Sequence, residues 1–201
     1  MLQKHRLLTP GPTPIPDRVR LVMAQAMIHH RKPEFKAVMQ RIQKPLQELF
    51  GAHSPVLTLA CSGTGVMTAA VHCLFQPKEK VLIVEAGKFA ERWREIANVR
   101  GLETTSLMVP FGQAVNPADV RAALDADPTL CGVLIQLSET STGVQHPVEE
   151  VARITRQRDV LLVVDGISAV GISPCSLDEW GMDCLLTGSQ KGLMVPAGLG
   201  L

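Results

Sequence analysis

The sequence predicts an α/β protein with a mostly parallel, doubly wound sheet and helices on both of its faces. Short apolar runs alternate along the chain with longer segments of helical periodicity, which is typical of such folds. Several runs are apolar at every position, as required of strands that are covered on both faces. The chain has 201 residues, of which 46% are hydrophobic, enough to bury a substantial core.

The candidate strands are short and bounded by glycine, proline or polar residues. A run such as 161–164 (LLVV) has no polar position at all, which indicates a central strand. The predicted strands are residues 56–59, 81–84, 104–108, 133–137, 161–164 and 184–187, and residues 199–201 begin a seventh.

The intervening segments carry apolar residues three and four positions apart, as in amphipathic helices. Pro33 begins one such segment and Gly51 ends it, a favourable residue at each helix terminus. The predicted helices are residues 17 to about 27, 33–50, 65–75, 89–99, 117–126 and 147–158, with a short turn at 176–180.

The prolines and the two chain ends predict the domain organisation. Residues 9–16 contain four prolines, so we expect 1–16 to be an extended arm and 17–201 to be one large domain. The chain stops at residue 201 within an apolar run, whereas chain ends are normally polar and exposed. We therefore expect a domain that is incomplete at its C-terminus, as part of a longer protein.

Composition excludes several classes of function. The net charge is +1, from 20 basic and 19 acidic residues without a basic run, which argues against nucleic acid and anionic membranes as partners. No apolar stretch is long enough to cross a bilayer, and no secretory signal is visible, so we expect a cytoplasmic protein. The five cysteines lack CxxC spacing and the six histidines form no HExxH pattern, so we predict no metal.

Lys191 and Asp165 are the strongest candidates for chemistry. Asp165 ends one buried strand and Lys191 follows the next, and ligands bind such sheets outside the carboxyl ends of their strands. A lysine that holds an aldehyde as a Schiff base and an aspartate that keeps a pyridine nitrogen protonated are what pyridoxal phosphate (PLP) requires. A solvated loop lysine and an Asp-Gly turn are the simpler interpretations of each residue alone.

A glycine-rich segment at 60–66 (ACSGTGV) follows the first predicted strand and begins a helix. Its backbone amides and the helix dipole would suit a phosphate, and a tight turn without a ligand is the alternative. The segment matches neither a Walker A loop nor a complete GxGxxG, which weakens the prediction of a nucleotide-binding module. A GxSxxG match at 166–171 lacks the spacing of a nucleophile elbow and a triad histidine, so a hydrolase is not favoured.

Two further positions lie at the same predicted edge of the sheet. Phe89 begins the helix after the second strand, where it could stack on a planar ring or simply pack in the core. The hydroxyl-rich segment 138–143 (SETSTG) could donate to a ring hydroxyl or cap a turn.

Taken together, these motifs resemble the class V (fold type I) PLP-dependent aminotransferases, specifically the alanine–glyoxylate and serine–glyoxylate group. Six short motifs occur in the family's order and approximate spacing, and they extend over the whole chain. They are TPGPTP at 9–14, HHRKPEF at 29–35, SGTG at 62–65, SETSTGV at 138–144, VDGISAVG at 164–171 and GSQK at 188–191.

The resemblance assigns roles to residues of this chain. It implies that Lys191 is the Schiff-base lysine and that Asp165 pairs with the pyridine nitrogen. Phe89 falls where the family stacks an aromatic ring on the cofactor, Thr140 where a hydroxyl lies near the ring oxygen, and Ile167 on the opposite ring face. The implied phosphate contacts are Thr64, Gly65, Val66 and Gln190, and Gly11 belongs to the segment that lines the substrate pocket.

The activity implied by the resemblance is transamination between a small amino acid of the alanine or serine type and a 2-oxo acid such as glyoxylate, by a homodimer. The family is about twice as long, so the small C-terminal domain and the carboxylate-binding arginine would lie beyond residue 201, and the fragment alone would be inactive. One alternative is a cysteine desulfurase or related lyase, although these typically have histidine where this chain has Phe89 and Gln190. The other is a non-catalytic product, a truncated chain or pseudoenzyme that keeps the fold, although it retains both Lys191 and Asp165. The motif residues His29, His30 and Arg31 could approach the site or lie at a surface or interface.

Overall fold

The computed structural model describes residues 7–201, and its centre is a five-stranded parallel sheet, in which residues 103–108, 80–85, 130–136, 161–165 and 184–186 are neighbours in that order. Residues 1–6 of the predicted arm lie outside the described residues, and residues 7–16 contain no helix or strand. The sheet strands are β1 (Lys80–Glu85), β2 (Glu103–Met108), β3 (Leu130–Gln136), β6 (Leu161–Asp165) and β7 (Cys184–Leu186). A small antiparallel pair, β4 (Ser138–Glu139) and β5 (Val144–Gln145), follows β3.

Helices alternate with the strands along the chain, as the periodicity predicts. Pro33 begins α2, and Gly51 ends it in a left-handed conformation that glycine adopts without strain. The helices of the described part are α1 (Asp17–Met23), α2 (Pro33–Phe50), α3 (Gly63–Leu74), α4 (Lys88–Arg100), α5 (Pro117–Ala126), α6 (Val148–Arg156) and α7 (Leu177–Trp180).

The sheet is covered on both faces. Adjacent residues of β1 separate to opposite sides: Leu82 packs with residues of α5 and α6, and Ile83 with residues of α3 and α4. Both side chains are fully buried, and the same division holds for Leu134 and Ile135 of β3. This arrangement confirms the predicted doubly wound α/β fold and explains why the central strands are apolar at every position.

Two predicted strands are wrong. Residues 56–59 do not join the sheet, because the backbone of Val56 is bound at both its N–H and its C=O by the side-chain amide of Gln43. Leu57 is 75% exposed, and Leu59 forms only an isolated antiparallel bridge with Gly200. Residues 199–201 likewise do not extend the parallel sheet, since they bond antiparallel to the segment that follows β7.

The parallel strands bring four carboxyl ends to one edge of the sheet. Strands β1, β3, β6 and β7 are neighbours, and the chain after β1 and the chain after β3 leave in different directions, so a crevice opens between them. The segments that follow these strands carry the residues discussed next.

Candidate active site

A cavity of about 250 Å³ lies at this edge of the sheet. It is lined by residues from the N-terminus of α3, from α4, from the β4 segment, from the end of β6 and the turn after it, and from the segment after β7. The lining residues are Ser62, Gly63, Thr64, Met67, Phe89, Arg92, Ser138, Thr140, Asp165, Ile167, Ser168, Gln190 and Lys191.

Lys191 reaches the cavity from the segment after β7, and the N-terminal arm holds it there. Its Nζ donates a hydrogen bond to the carbonyl oxygen of Pro10 at 3.1 Å, and Thr13 Oγ1 donates to the Lys191 carbonyl at 2.9 Å. Burial lowers the pKa of the Lys191 amine, although the nearby carboxylate of Asp165 opposes this effect. A lowered pKa increases the fraction of neutral amine, the form that attacks a carbonyl carbon.

Asp165 is the last residue of β6 and is only 5% exposed. Its Oδ1 accepts a hydrogen bond from the N–H of Ile167 at 2.9 Å, and the carboxylate lines the cavity. Burial raises the pKa of Asp165 to about 6, the charge of Glu139 adds to the increase, and Arg92 and Lys191 oppose it. A buried carboxylate with one oxygen bonded to the backbone is suited to pair with a cation in the cavity.

The N-terminus of α3 forms a polar wall of the cavity. Ser62 is its N-cap and accepts a hydrogen bond from the N–H of Gly65 at 3.1 Å, and Arg92 donates to Thr64 Oγ1 at 2.9 Å. Val66 differs from its neighbours, since its side chain packs in the core and its N–H bonds to the Ser62 carbonyl. Helix dipole, hydroxyl groups and a guanidinium therefore meet at one point, which is favourable for an anion.

Apolar and hydroxyl side chains occupy the remaining walls. Phe89, in the first turn of α4, is half-buried, with the guanidinium carbon of Arg92 at 5.5 Å from its ring centre. Ile167 is half-buried on the turn after β6 and approaches Gly63 so closely that a Cβ there would lie 2.7 Å from Ile167 Cδ1. Thr140 Oγ1 and Ser168 Oγ share a hydrogen bond of 2.5 Å.

Most of the site residues predicted from the sequence meet here, and some do not line the cavity. Lys191, Asp165, Thr64, Phe89, Thr140, Ile167 and Gln190 all line it. Gly65 and Val66 lie just behind the wall, in α3, and Gly11 packs against the side chain of Lys191. His29, His30 and Arg31 are exposed and outside the lining, with the two imidazole rings stacked at 4.7 Å.

The sequence reasoning missed Arg92, Ser168 and Glu139. Arg92 lies three positions after Phe89, and residues at this spacing share one face of a helix, so the helix prediction could have identified it. Ser168 lies in the VDGISAVG motif at 164–171, but only the folded turn after β6 places its hydroxyl beside Thr140. Glu139 is a charged residue that the structure buries completely, which no local pattern predicts.

The described residues fit PLP. The cavity joins a partly buried amine, a buried carboxylate, half-buried apolar side chains and a helix N-terminus that favours an anion. These correspond to the groups of the cofactor: an aldehyde, a pyridine nitrogen, an aromatic ring and a phosphate. Within residues 7–201, no three histidine, cysteine, aspartate or glutamate side chains are grouped as a metal site would require, and no helix has the length and apolarity to cross a membrane.

Fold and cavity together are those of a PLP-dependent enzyme with a type I large domain. More particularly, the chain belongs to the aminotransferase class-V family, whose model matches residues 10–201. The cofactor of this family is PLP, as the sequence motifs predict.

Three relatives illustrate the similarity. The small subunit of a soluble hydrogenase from Synechococcus sp. is 37% identical, and the match covers 99% of this chain and 53% of the relative. A serine–glyoxylate aminotransferase from Methylorubrum extorquens is 34% identical over 98% of this chain and 50% of its own length. The crystal structure of an alanine–glyoxylate aminotransferase from Nostoc sp. is 30% identical with a TM-score of 0.94, over 100% of this chain and 53% of that one. The chain thus spans about half the length of the relatives that it matches.

Proposed function

We propose that the protein catalyses PLP-dependent transamination between a small amino acid of the alanine or serine type and a 2-oxo acid such as glyoxylate. The observation that carries the proposal is the convergence of the Lys191 amine and the Asp165 carboxylate on one cavity, in a chain of the class-V family. Relatives named as serine–glyoxylate and alanine–glyoxylate aminotransferases, at 34% and 30% identity, support the choice of substrates.

The residues proposed to hold the cofactor surround the cavity. We assign the phosphate to the N-terminus of α3 beside Thr64 and Gln190, which line the cavity, and the ring to the space between Phe89 and Ile167. Gly65 and Val66, the other phosphate contacts that the resemblance implies, are left out of this assignment because their N–H groups bond to Ser62. Thr140 would donate to the ring hydroxyl, and Gly11 would lie beside the bound substrate. Bound PLP supplies an aldehyde that forms a Schiff base with an amine and a ring that accepts the electrons released from the substrate Cα–H bond.

Lys191 and Asp165 have the two catalytic roles. The neutral Nζ of Lys191 would accept the proton of the substrate Cα and would then donate this proton to the acceptor carbon. Its lowered pKa favours the neutral form that this step needs. Asp165 keeps a cation at the ring nitrogen, because an ionised carboxylate in so buried a position is stabilised mainly by a paired positive charge.

Phe89 and Gln190 support transamination over cysteine desulfuration. The desulfurases that the chain resembles typically have histidine at both positions, one stacked on the cofactor and one before the lysine. Here an apolar ring and a neutral amide line the cavity in their place. Neither side chain titrates near neutral pH, so neither can replace an imidazole as a general acid or base.

We also propose that the complete protein is a homodimer. An exposed apolar stretch in and after α1 supports this, because contiguous exposed apolar surface marks an interface more often than a free surface. Its members include Leu21, Val22, Met23 and Met27, the last 99% exposed.

The experiment that tests the function is the visible spectrum of the complete protein with PLP, together with measurement of the products. Wild-type protein should show a lysine-dependent absorbance band. Alanine without an oxo acid should abolish the band and release one molecule of pyruvate per active site. Glyoxylate should then restore the band and yield glycine. Lys191→Ala should show neither the band nor pyruvate release. A band that alanine and serine leave unchanged would contradict the proposed substrates, and the absence of any band would contradict the PLP site.

A further inference from the structure

The N-terminus of α4, which carries Phe89, is capped by a residue far away in the sequence. Gly87 precedes the helix and has no side chain to cap it. Instead the carboxylate of Glu139 accepts hydrogen bonds from the N–H of Phe89 at 3.2 Å and from the N–H of Ala90 at 3.1 Å. Two of the amides that a helix leaves without intrahelical partners are therefore bound by one carboxylate from the β4 segment.

Ser141 completes the cap. Its hydroxyl accepts a hydrogen bond from the N–H of Lys88 at 3.0 Å and donates to Glu139 Oε1 at 2.6 Å. The N–H of Ser141 donates to the same oxygen at 3.0 Å. The approach is close enough that a Cβ on Gly87 would lie 2.5 Å from Glu139 Cδ, so position 87 has room only for glycine. Hydrogen bonds from Glu139 and Ser141 therefore hold the β4 segment against the N-terminus of α4, beside the cavity.

The same segment also determines where Thr140 lies. Thr140 follows Glu139 directly, lines the cavity, and shares a 2.5 Å hydrogen bond with Ser168 of the turn after β6. Glu139 is completely buried, so its carboxylate has little freedom to move away from its donors. Phe89 and Thr140, on different walls of the cavity, are therefore connected through one rigid side chain.

We propose that Glu139 is a positioning residue of the cofactor site, whose carboxylate sets the separation of Phe89 and Thr140 and hence the orientation of the bound aromatic ring. The proposal rests on the proposed function, since it concerns a PLP ring in this cavity. A carboxylate is required because it accepts hydrogen bonds at both oxygens and carries a negative charge, which is favourable at a helix N-terminus. Glu139 has a second effect, since its charge adds to the burial that raises the pKa of Asp165.

Glu139→Gln is the sharpest test, because the amide has nearly the same shape but directs an NH₂ group towards one of the backbone N–H donors. Its control is Asn116→Ala, which removes another N-cap bond, from Ala118 N–H to Asn116 Oδ1 at 3.0 Å, on the remote helix α5. Three quantities are compared: amide hydrogen exchange at Phe89 and Ala90 in the cofactor-free protein, the dissociation constant of PLP, and the visible circular dichroism of bound PLP.

For Glu139→Gln we expect faster exchange at both amides, a PLP affinity reduced about tenfold and an altered dichroic band, because a charge-assisted cap is lost. Asn116→Ala should lower the free energy of unfolding by a comparable amount, but it should leave the amide exchange, the PLP affinity and the dichroic band unchanged. Wild-type affinity and dichroism in Glu139→Gln would overturn the inference.

A second variant covers the case in which Glu139→Gln does not fold. Ser141→Ala removes the hydroxyl that bonds Lys88 and Glu139, and it should change the same quantities in the same direction by about threefold. Unchanged exchange and PLP affinity in Ser141→Ala would then overturn the inference. Failure of the wild-type protein to bind PLP would overturn the proposed function and this inference with it, whereas unchanged exchange at Phe89 in Glu139→Gln would overturn this inference alone.

Discussion

The carbonyl oxygen of Pro10 accepts a hydrogen bond from Lys191 Nζ at 3.1 Å, although 181 residues separate the two in the sequence. Thr13 strengthens the same contact, since its N–H donates to the carbonyl of Gln190 at 2.9 Å. The N-terminal arm is therefore part of the wall around the amine. Substitutions in the arm therefore test the proposed role of Lys191.

Gly11→Ala should displace the Lys191 side chain and also strain the backbone of the arm. A methyl group at Gly11 would overlap Lys191 Nζ and lie 2.6 Å from both Cδ and Cε of that side chain. The far end of a lysine moves easily, but Gly11 has a φ of 158°, which residues with a side chain rarely adopt. We therefore expect a loss of about 1–3 kcal/mol in unfolding free energy and a PLP affinity reduced about tenfold. Titration of the PLP absorbance band measures the affinity, and Leu8→Ala, at a 95% exposed position of the same arm, is the control. Equal affinities in the two variants would contradict the packing.

Asp165→Asn should stabilise the cofactor-free protein at neutral pH. Burial raises the pKa of Asp165 from its ordinary value of 3.8 to about 6, so the folded protein binds this proton more tightly than the unfolded chain. The stability associated with the protonated carboxyl is complete below pH 3.8 and is lost as the pH rises through about 6. The asparagine variant avoids this loss and retains an oxygen for the Ile167 N–H. We expect it to be more stable above pH 7 by about 3 kcal/mol and to match the wild type near pH 4.

Urea unfolding of both proteins from pH 4 to 8 measures this difference. A gap in unfolding free energy that does not change with pH would show that Asp165 is not the titrating group. In the presence of PLP the order should reverse, because the wild-type carboxylate then gains a cationic partner and the amide does not.

Arg92→Lys should weaken cofactor binding while preserving the charge. The guanidinium contacts both Thr64 Oγ1, at 2.9 Å, and the Phe89 ring, and a lysine ammonium on a flexible stem cannot make both contacts with the same geometry. We expect about a tenfold loss of PLP affinity from the hydrogen bond and cation–π contact together. Arg94→Lys is the matched control in the same binding titration, because Arg94 lies two positions further along α4, is absent from the cavity lining and pairs with Glu85 at 3.0 Å. If both variants bind PLP equally, Arg92 has no part in the site.

Gln136→Met should stabilise the protein. Gln136 ends β3 in register with Asp165, is completely buried, and neither atom of its amide has a hydrogen-bond partner among the described residues. Methionine has a similar volume and no polar group to leave unpaired, so we expect a gain of about 1–3 kcal/mol in the free energy of unfolding. Urea denaturation measures it, and a loss of stability would indicate that the amide has a partner such as a buried water.

The fold could be predicted from local sequence patterns, because the burial of each strand and helix determines the spacing of its apolar residues. The continuous apolar runs of β3 and β6 follow from burial on both faces, and the helix that begins at Pro33 follows from its caps and spacing. The same reasoning was wrong for residues 56–59, because a remote side chain, Gln43, satisfies the backbone there. No local pattern contains that contact.

The sequence by itself determined the strand–helix alternation, the family motifs and the two candidate residues Lys191 and Asp165, since each depends on residue type at a short spacing. Tertiary structure alone decided that Pro10 binds the lysine amine, that Arg92 binds Thr64, and that Glu139 caps α4. These contacts join residues from 28 to 181 positions apart, or depend on where a loop turns. Such distances are set by how the helices pack on the sheet, which the chain specifies only once it has folded.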